Sequence, residues 1–147
     1  PGFKSPLALH KKIPSSPRVF SFDIVRLMKQ SIMYQRVESG AIFFTSLYLY
    51  WFLDFNLLVF ALLLFIFDIF MVGYLFNSKI GAYAYNLGHS MILPPILFVI
   101  GYATDMRLLI GFSLIWFAHI GLDRGLGYGL KFTSDFKDTH LGHIGKK

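Results

Sequence analysis

Apolar residues gather in four long runs separated by short polar breaks, and this alternation dominates the chain. The runs cover about residues 37–53, 57–76, 80–102 and 108–130. Each comes near the roughly 20 apolar residues that a helix needs to cross about 30 Å of hydrocarbon. The breaks, "DFN", "NSK" and "ATDMR", leave room only for tight reversals, so neighbouring helices must run antiparallel. The pattern predicts an all-α fold: an integral membrane four-helix up-down bundle occupying residues 31–147, with a short cytoplasmic tail. Tyr48, Tyr50 and Trp51 close the first run, as an interfacial aromatic band would.

The stretch from Pro1 to about Gln30 has no such period. "PGFKSPLALHKKIPSSPR" is rich in Pro, Ser and Lys and reads as a flexible segment. Within it, Val19 to Lys29 could form a short amphipathic helix on the membrane surface. Met28 and Met33 are candidate native starts, which would make the upstream residues a translated leader or an expression remnant.

Composition supports lipid as the solvent. The 147 residues are 55% hydrophobic and only 15% charged, more apolar surface than a water-soluble domain of this length can bury. The absence of cysteine excludes disulfides, thiolate metal sites and thiol nucleophiles. The net charge of +6 does not call for nucleic acid, because basic residues of membrane proteins collect in cytoplasmic loops. With a cytoplasmic N-terminus, Arg107 is the single basic residue outside, and the other thirteen of the 14 remain inside or at the inner interface. Both termini are therefore expected in the cytoplasm, and a bacterial inner membrane is the expected location.

The candidate chemistry lies in the polar residues within the runs. Asp68, His89 and His119 each fall about eight residues, or roughly 12 Å, from the cytoplasmic end of their helix. Ionisable groups in lipid cost roughly 3 kcal/mol each, so three at one depth should face one another. Asp123 follows His119 by four residues and shares its helix face. Glu38 is placed to close the ring, and the tail "DFKDTHLGHIG" could fold Asp138 and His140 back over its mouth. Imidazoles and carboxylates without thiolates suit a divalent metal such as Zn²⁺. His89, His119, Asp123 and His140 are the candidate ligands. Asp68 or Asp123 would act as general base, and Arg124 or Lys131 would hold a phosphate oxygen.

Structural readings compete with each of these. A lone Asp68 could serve only to lock helix packing. His89 could bond a carbonyl freed by Pro94 and Pro95, which should kink the helix beside it. Arg124, Lys131 and Lys137 could be interfacial anchors, with His10 and His143 in solvated tails. Gly121, Gly125 and Gly129 form small-xxx-small pairs that let the fourth helix approach a neighbour, which would help bring His119 and Asp123 toward Asp68 and His89 and could also support oligomerisation. Alternatively, Gly127 and Gly129 could unwind the helix end.

Four stretches carry a family resemblance: "RVESGAIF", "FDIFMVGYL", "IGAYAYNLGHSMILP" and "IWFAHIGLDRGLGYGLKFTSDFKDTHLGHIG". On these the chain resembles the DUF4260 family of small bacterial membrane proteins, a group named for its unknown function. The resemblance spans about Tyr34 to Gly145. It implies a role for Glu38, Asp68, Asn86, His89, His119, Asp123, Arg124, Lys131, Asp138 and His140, and implies no reaction. His143 stands where the family pattern would have Arg.

Three functions remain open on this reading. One is a metal-dependent hydrolase of a lipid or phospholipid at the inner leaflet. Another is a non-enzymatic bundle that binds a partner or handles protons or metal ions. The third is a structural scaffold. The outer halves of the runs are nearly all apolar, which disfavours a through-channel.

Overall fold

The computed structural model describes residues 17–145 and is mostly helical. Helix α1 spans Pro17–Phe52. A short α2, Leu57–Leu63, is followed by a 3-10 segment, Ile66–Leu75. Helices α3 (Ser78–Gly88), α4 (Leu93–Ala103) and α5 (Arg107–Leu126) complete the helical part. The chain divides into two units at the Met33–Tyr34 boundary inside α1. Among the described residues the first unit holds only 17–33 of that helix. Everything below concerns the second.

Among the described residues, three stretches are long and apolar enough to cross a membrane: Leu57–Leu75, Ser78–Ala103 and Arg107–Leu126. The first predicted run, residues 37–53, is not among them, because helix α1 carries Ser, Thr, Tyr and Glu through that stretch. Residues 17–30, expected to be flexible, are helical and continue unbroken into the first run. The interfacial-helix expectation for Val19 to Lys29 thus falls inside a 36-residue helix. The flexible-segment expectation for residues 1–16 lies outside the described residues.

Local chemistry explains most boundaries. Asn56 and Asn77, the polar residues of the first two breaks, cap α2 and α3 by accepting backbone N–H groups of Leu58 and Ile80 at 2.8 and 2.9 Å. The helix run of residues 78–103 is broken at His89–Ile92, just before Pro94 and Pro95. Proline tolerates only the first turn of a helix, so α4 restarts there. Helix α5 stops at Leu126, four residues short of the predicted end. Gly127 takes a left-handed φ of 101°, its N–H bonds Arg124 O at 3.0 Å, and Tyr128 N–H bonds Asp123 O at 2.8 Å. This is a Schellman closure, which a glycine at that position permits.

Helix α5 is the central element. Half of its apolar window is buried, against 17% for Leu57–Leu75. Its small residues press on α1: a Cβ at Gly121 would lie 2.8 Å from Ser39 O and from Phe43 N. Arg36 of α1 donates to Gly125 O at 2.9 Å and Leu126 O at 3.2 Å, closing the C-terminal carbonyls of α5. At the opposite end of α5, Arg107 donates to Leu53 O at 2.6 Å.

Gly121 and Gly125 therefore face α1, Gly129 lies beyond α5 against His140 and Leu141, and none of the three draws α5 toward Asp68. That second contact has its own glycines. On α3, a Cβ at Gly81 or Gly88 would overlap the rings of Tyr74 or Phe70, and Gly73 lies against Ala84. In a 3-10 segment residues three apart eclipse, so Phe67, Phe70 and Gly73 form one face. Phe67 stacks on Trp116 of α5 (4.8 Å between centroids, 13°), while Phe70 and Gly73 seat on α3. Asp68 is carried in beside them.

The chain after α5 is not a simple tail. Two short strands, β1 (Asp138–Thr139) and β2 (Gly142–His143), pair antiparallel, and Lys131 bridges to Thr139. This hairpin adds a β element that the all-α expectation lacked. Its strands are two residues long, too short for an alternation to register in the sequence.

Candidate metal centre

Four side chains from three apolar stretches converge. Asp68 comes from the 3-10 segment, His89 from the C-cap of α3, and His119 and Asp123 from α5. One ligand atom from each lies within 4.8 Å of all the others. His89 Nε2 is 2.9 Å from His119 Nε2, 3.5 Å from Asp123 Oδ2 and 3.7 Å from Asp68 Oδ1. His119 Nε2 is 3.8 Å from Asp68 Oδ1. A tetrahedral ion with bonds of about 2.0–2.1 Å needs ligand atoms about 3.3–3.4 Å apart. The observed separations bracket that value.

The surroundings aim these atoms inward. His89 Nδ1 lies 2.9 Å from Tyr85 O. A carbonyl can only accept, so Nδ1 carries the proton and, in the neutral ring, Nε2 presents its lone pair to the cluster. Histidines that bind metals are oriented this way. Tyr85 also stacks on the His89 ring (3.7 Å between centroids, 13°) and donates its hydroxyl to Asp123 Oδ2 at 2.9 Å. One residue thereby positions two ligands. His119 is fully buried beside Phe67, and its Nδ1 has no hydrogen-bond partner. Asp68, with 34% of its side chain exposed, is the most accessible of the four.

The helix break after His89 is held open by side chains. Trp116 Nε1 donates to Gly88 O at 2.6 Å, and an Arg124 N–H donates to His89 O at 3.2 Å. These groups satisfy carbonyls that a continuing helix would have used. His89 itself bonds Tyr85 O, one turn back on α3, and not a carbonyl freed by the two prolines.

Other predicted residues go elsewhere. His140 does not join the cluster: its Nδ1 accepts the Leu130 N–H at 2.8 Å, and the residue lines a different cavity with Glu38 and Arg124. Glu38 is exposed and likewise stays out of the ring. Arg124 touches the cluster only through the His89 carbonyl. Asp138 is bound within the tail, to Ser134 Oγ and His143 Nδ1, both at 2.9 Å. Asn86 pairs both ends of its amide with the Lys131 backbone, at 2.7 and 2.9 Å, and so pins the returning chain to α3. The Lys131 side chain is buried, its Nζ 4.0 Å from the Phe136 ring centroid and 5.0 Å from that of Tyr85. Burial holds this ammonium below the usual lysine range, with the charge of Asp123 acting in the opposite direction.

Sequence reasoning passed over Tyr85 and Trp116. Both were legible by spacing: Tyr85 is one turn before His89 on α3, and Trp116 is three residues before His119 on α5.

The donor set fits a divalent ion: two imidazoles with converging Nε2 atoms, two carboxylates and no thiolate. Comparison with curated proteins gives no match, and comparison with solved structures gives none. Residues 32–144 match the family described as a domain of unknown function, DUF4260. That match covers all three membrane-length stretches and all four cluster residues, and the chain belongs to the DUF4260 family.

Proposed function

We propose that this protein is a membrane-embedded metalloprotein that hydrolyses a lipid or phospholipid at the inner leaflet. The observation that carries the reading is the convergence of Asp68, His89, His119 and Asp123 between apolar helices. In this reading the chain crosses the bilayer four times, with α1 as the first pass and both termini in the cytoplasm. The reversal of basic residues across the breaks supports that orientation. The links of Arg36 to the end of α5 and of Arg107 to the end of α1 support an antiparallel α1–α5 pair. Among bacteria the location would be the inner membrane.

His89, His119 and Asp123 would hold the ion and leave a fourth position for water, and Asp68, the most accessible member, would stand beside that position as general base. A divalent ion supplies a water of lowered pKa and a Lewis acid for a carbonyl or phosphoryl oxygen. Tyr85 keeps Asp123 oriented through its hydroxyl. The guanidinium of Arg124 has N–H groups beyond the one given to His89 O, and these would hold a phosphate oxygen.

One observation favours a second reading. The four residues of the cluster could together supply a full tetrahedral shell, as in sites without catalysis. The protein would then store, sense or pass a metal ion. Two measurements on purified protein separate these readings: metal content, and release of product from radiolabelled phospholipids. Stoichiometric metal with turnover that is lost in Asp68→Asn supports the hydrolase. Stoichiometric metal with no turnover of any lipid class supports ion handling, and protein without bound metal sinks both.

A further inference from the structure

Two cavities in the second unit adjoin at Ile42. The first, about 190 Å³, is polar and is walled by Glu38, Arg124 and His140. The second, about 390 Å³, is apolar and is walled by Leu49, Phe98, Leu114 and Phe117. Glu38, Ile42, Thr45 and Leu49 recur at steps of four, three and four, so a single face of α1 floors both. That face runs for about 16 Å, polar at one end and apolar at the other.

The polar end carries unspent groups of both signs. Arg124 donates one N–H to His89 O and has no carboxylate partner among the described residues. His140 accepts the Leu130 N–H at Nδ1, so the neutral ring keeps its proton on Nε2 as a free donor. Partial burial, offset in part by the backbone hydrogen bond at Leu130 and reinforced by the Arg124 charge, holds His140 below the usual histidine range. The Glu38 carboxylate is exposed, with no ion pair among the described residues.

We propose that this groove binds one phospholipid whose headgroup carries both a phosphate and a primary ammonium. The phosphate sits against Arg124 and His140, the ammonium against Glu38, and one acyl chain follows Ile42 toward Leu49. Charge complementarity at the head and an apolar channel behind it define this occupant. The groove shares Arg124 with the proposed substrate site, includes none of the four cluster residues, and would hold lipid whether or not that lipid is cleaved.

Native mass spectrometry of the purified protein in mild detergent tests the assignment, with phosphatidylethanolamine, phosphatidylglycerol and diacylglycerol of matched chains as probes. One phosphatidylethanolamine should be retained, and phosphatidylglycerol about tenfold less well because Glu38 repels an uncompensated anion. Glu38→Lys should reverse that preference. Ile42→Trp, which fills the junction of the two cavities, should lower retention of both phospholipids about tenfold or more. Equal retention of all three lipids by the parent protein, or retention unchanged by both variants, overturns the proposal. Neither variant touches Asp68, His89, His119 or Asp123, so thermal unfolding of the same samples reports folding, and metal content leaves the metal reading separately testable.

Discussion

His119 and His140 are the same residue type in the same family match, yet the fold uses them in opposite ways. His119 lies fully buried among aromatic rings, with Nε2 facing His89 and two carboxylates. His140 sits on the returning chain with Nδ1 committed to a backbone N–H and no carboxylate of the cluster beside it. The contrast teaches that an inventory of imidazoles and carboxylates becomes a candidate metal site only where donor atoms converge, as the His89 and His119 Nε2 atoms do in hydrogen-bonding each other at 2.9 Å, a shared proton that an ion would displace. Elements packed through glycine and aromatic contacts achieve that convergence. A hydrogen-bonded return loop spends the same atoms on holding itself.

The most severe way to break the contrast is to push the 3-10 segment off α3. Gly88→Leu places a side chain where the Phe70 ring lies, and overpacking of this kind costs about 1–3 kcal/mol. Thermal unfolding should register that loss, and metal content should fall because Asp68 no longer reaches His89. Retained metal at parental stability would show that the glycine contact does not set the site.

A smaller intervention leaves the packing alone. Tyr85→Phe keeps the ring stacked on His89 and removes only the hydroxyl bonded to Asp123. Loss of such an orienting contact should weaken metal binding by about 10–100-fold, measured by competition with a chelator. Unchanged affinity would exclude Tyr85 as a positioning residue.

The smallest effect belongs to the other side of the comparison. The His140 pKa is lowered from 6.5 in the fold, so as pH falls the unfolded chain takes up this proton first. Stability contributed by His140 is therefore fully present above about pH 6.5 and declines below it, levelling off under the lowered folded value. His140→Gln keeps an acceptor for the Leu130 N–H and should flatten that decline in a pH series of melting curves, with metal content unaffected. A steeper acid decline in the variant would contradict the sign.

The sequence made the three membrane-length helices legible because apolar runs and short Asn-bearing breaks act locally. Equal depths of Asp68, His89 and His119 predicted their meeting, because depth depends only on helical rise. Contacts that depend on which face meets which neighbour were harder. Gly121 and Gly125 look the same in sequence whether they serve α1 or the cluster, and only the fold assigns them to α1. The contact between α3 and the 3-10 segment was hidden because a three-residue period in "FDIFMVG" is indistinguishable from general apolarity. His140 was misplaced for a related reason: the hairpin that turns it toward Leu130 is made by two-residue strands with no periodic signal.

The central claim is that Asp68, His89, His119 and Asp123 form a metal centre and His140 does not. Elemental analysis of three purified proteins tests it most directly: the parent chain, His119→Ala and His140→Ala, each passed through a metal-free column. The account predicts about one equivalent of a divalent transition metal in the parent and in His140→Ala, and none in His119→Ala. A folded parent protein with no bound metal, or equal loss in the two variants, would contradict it.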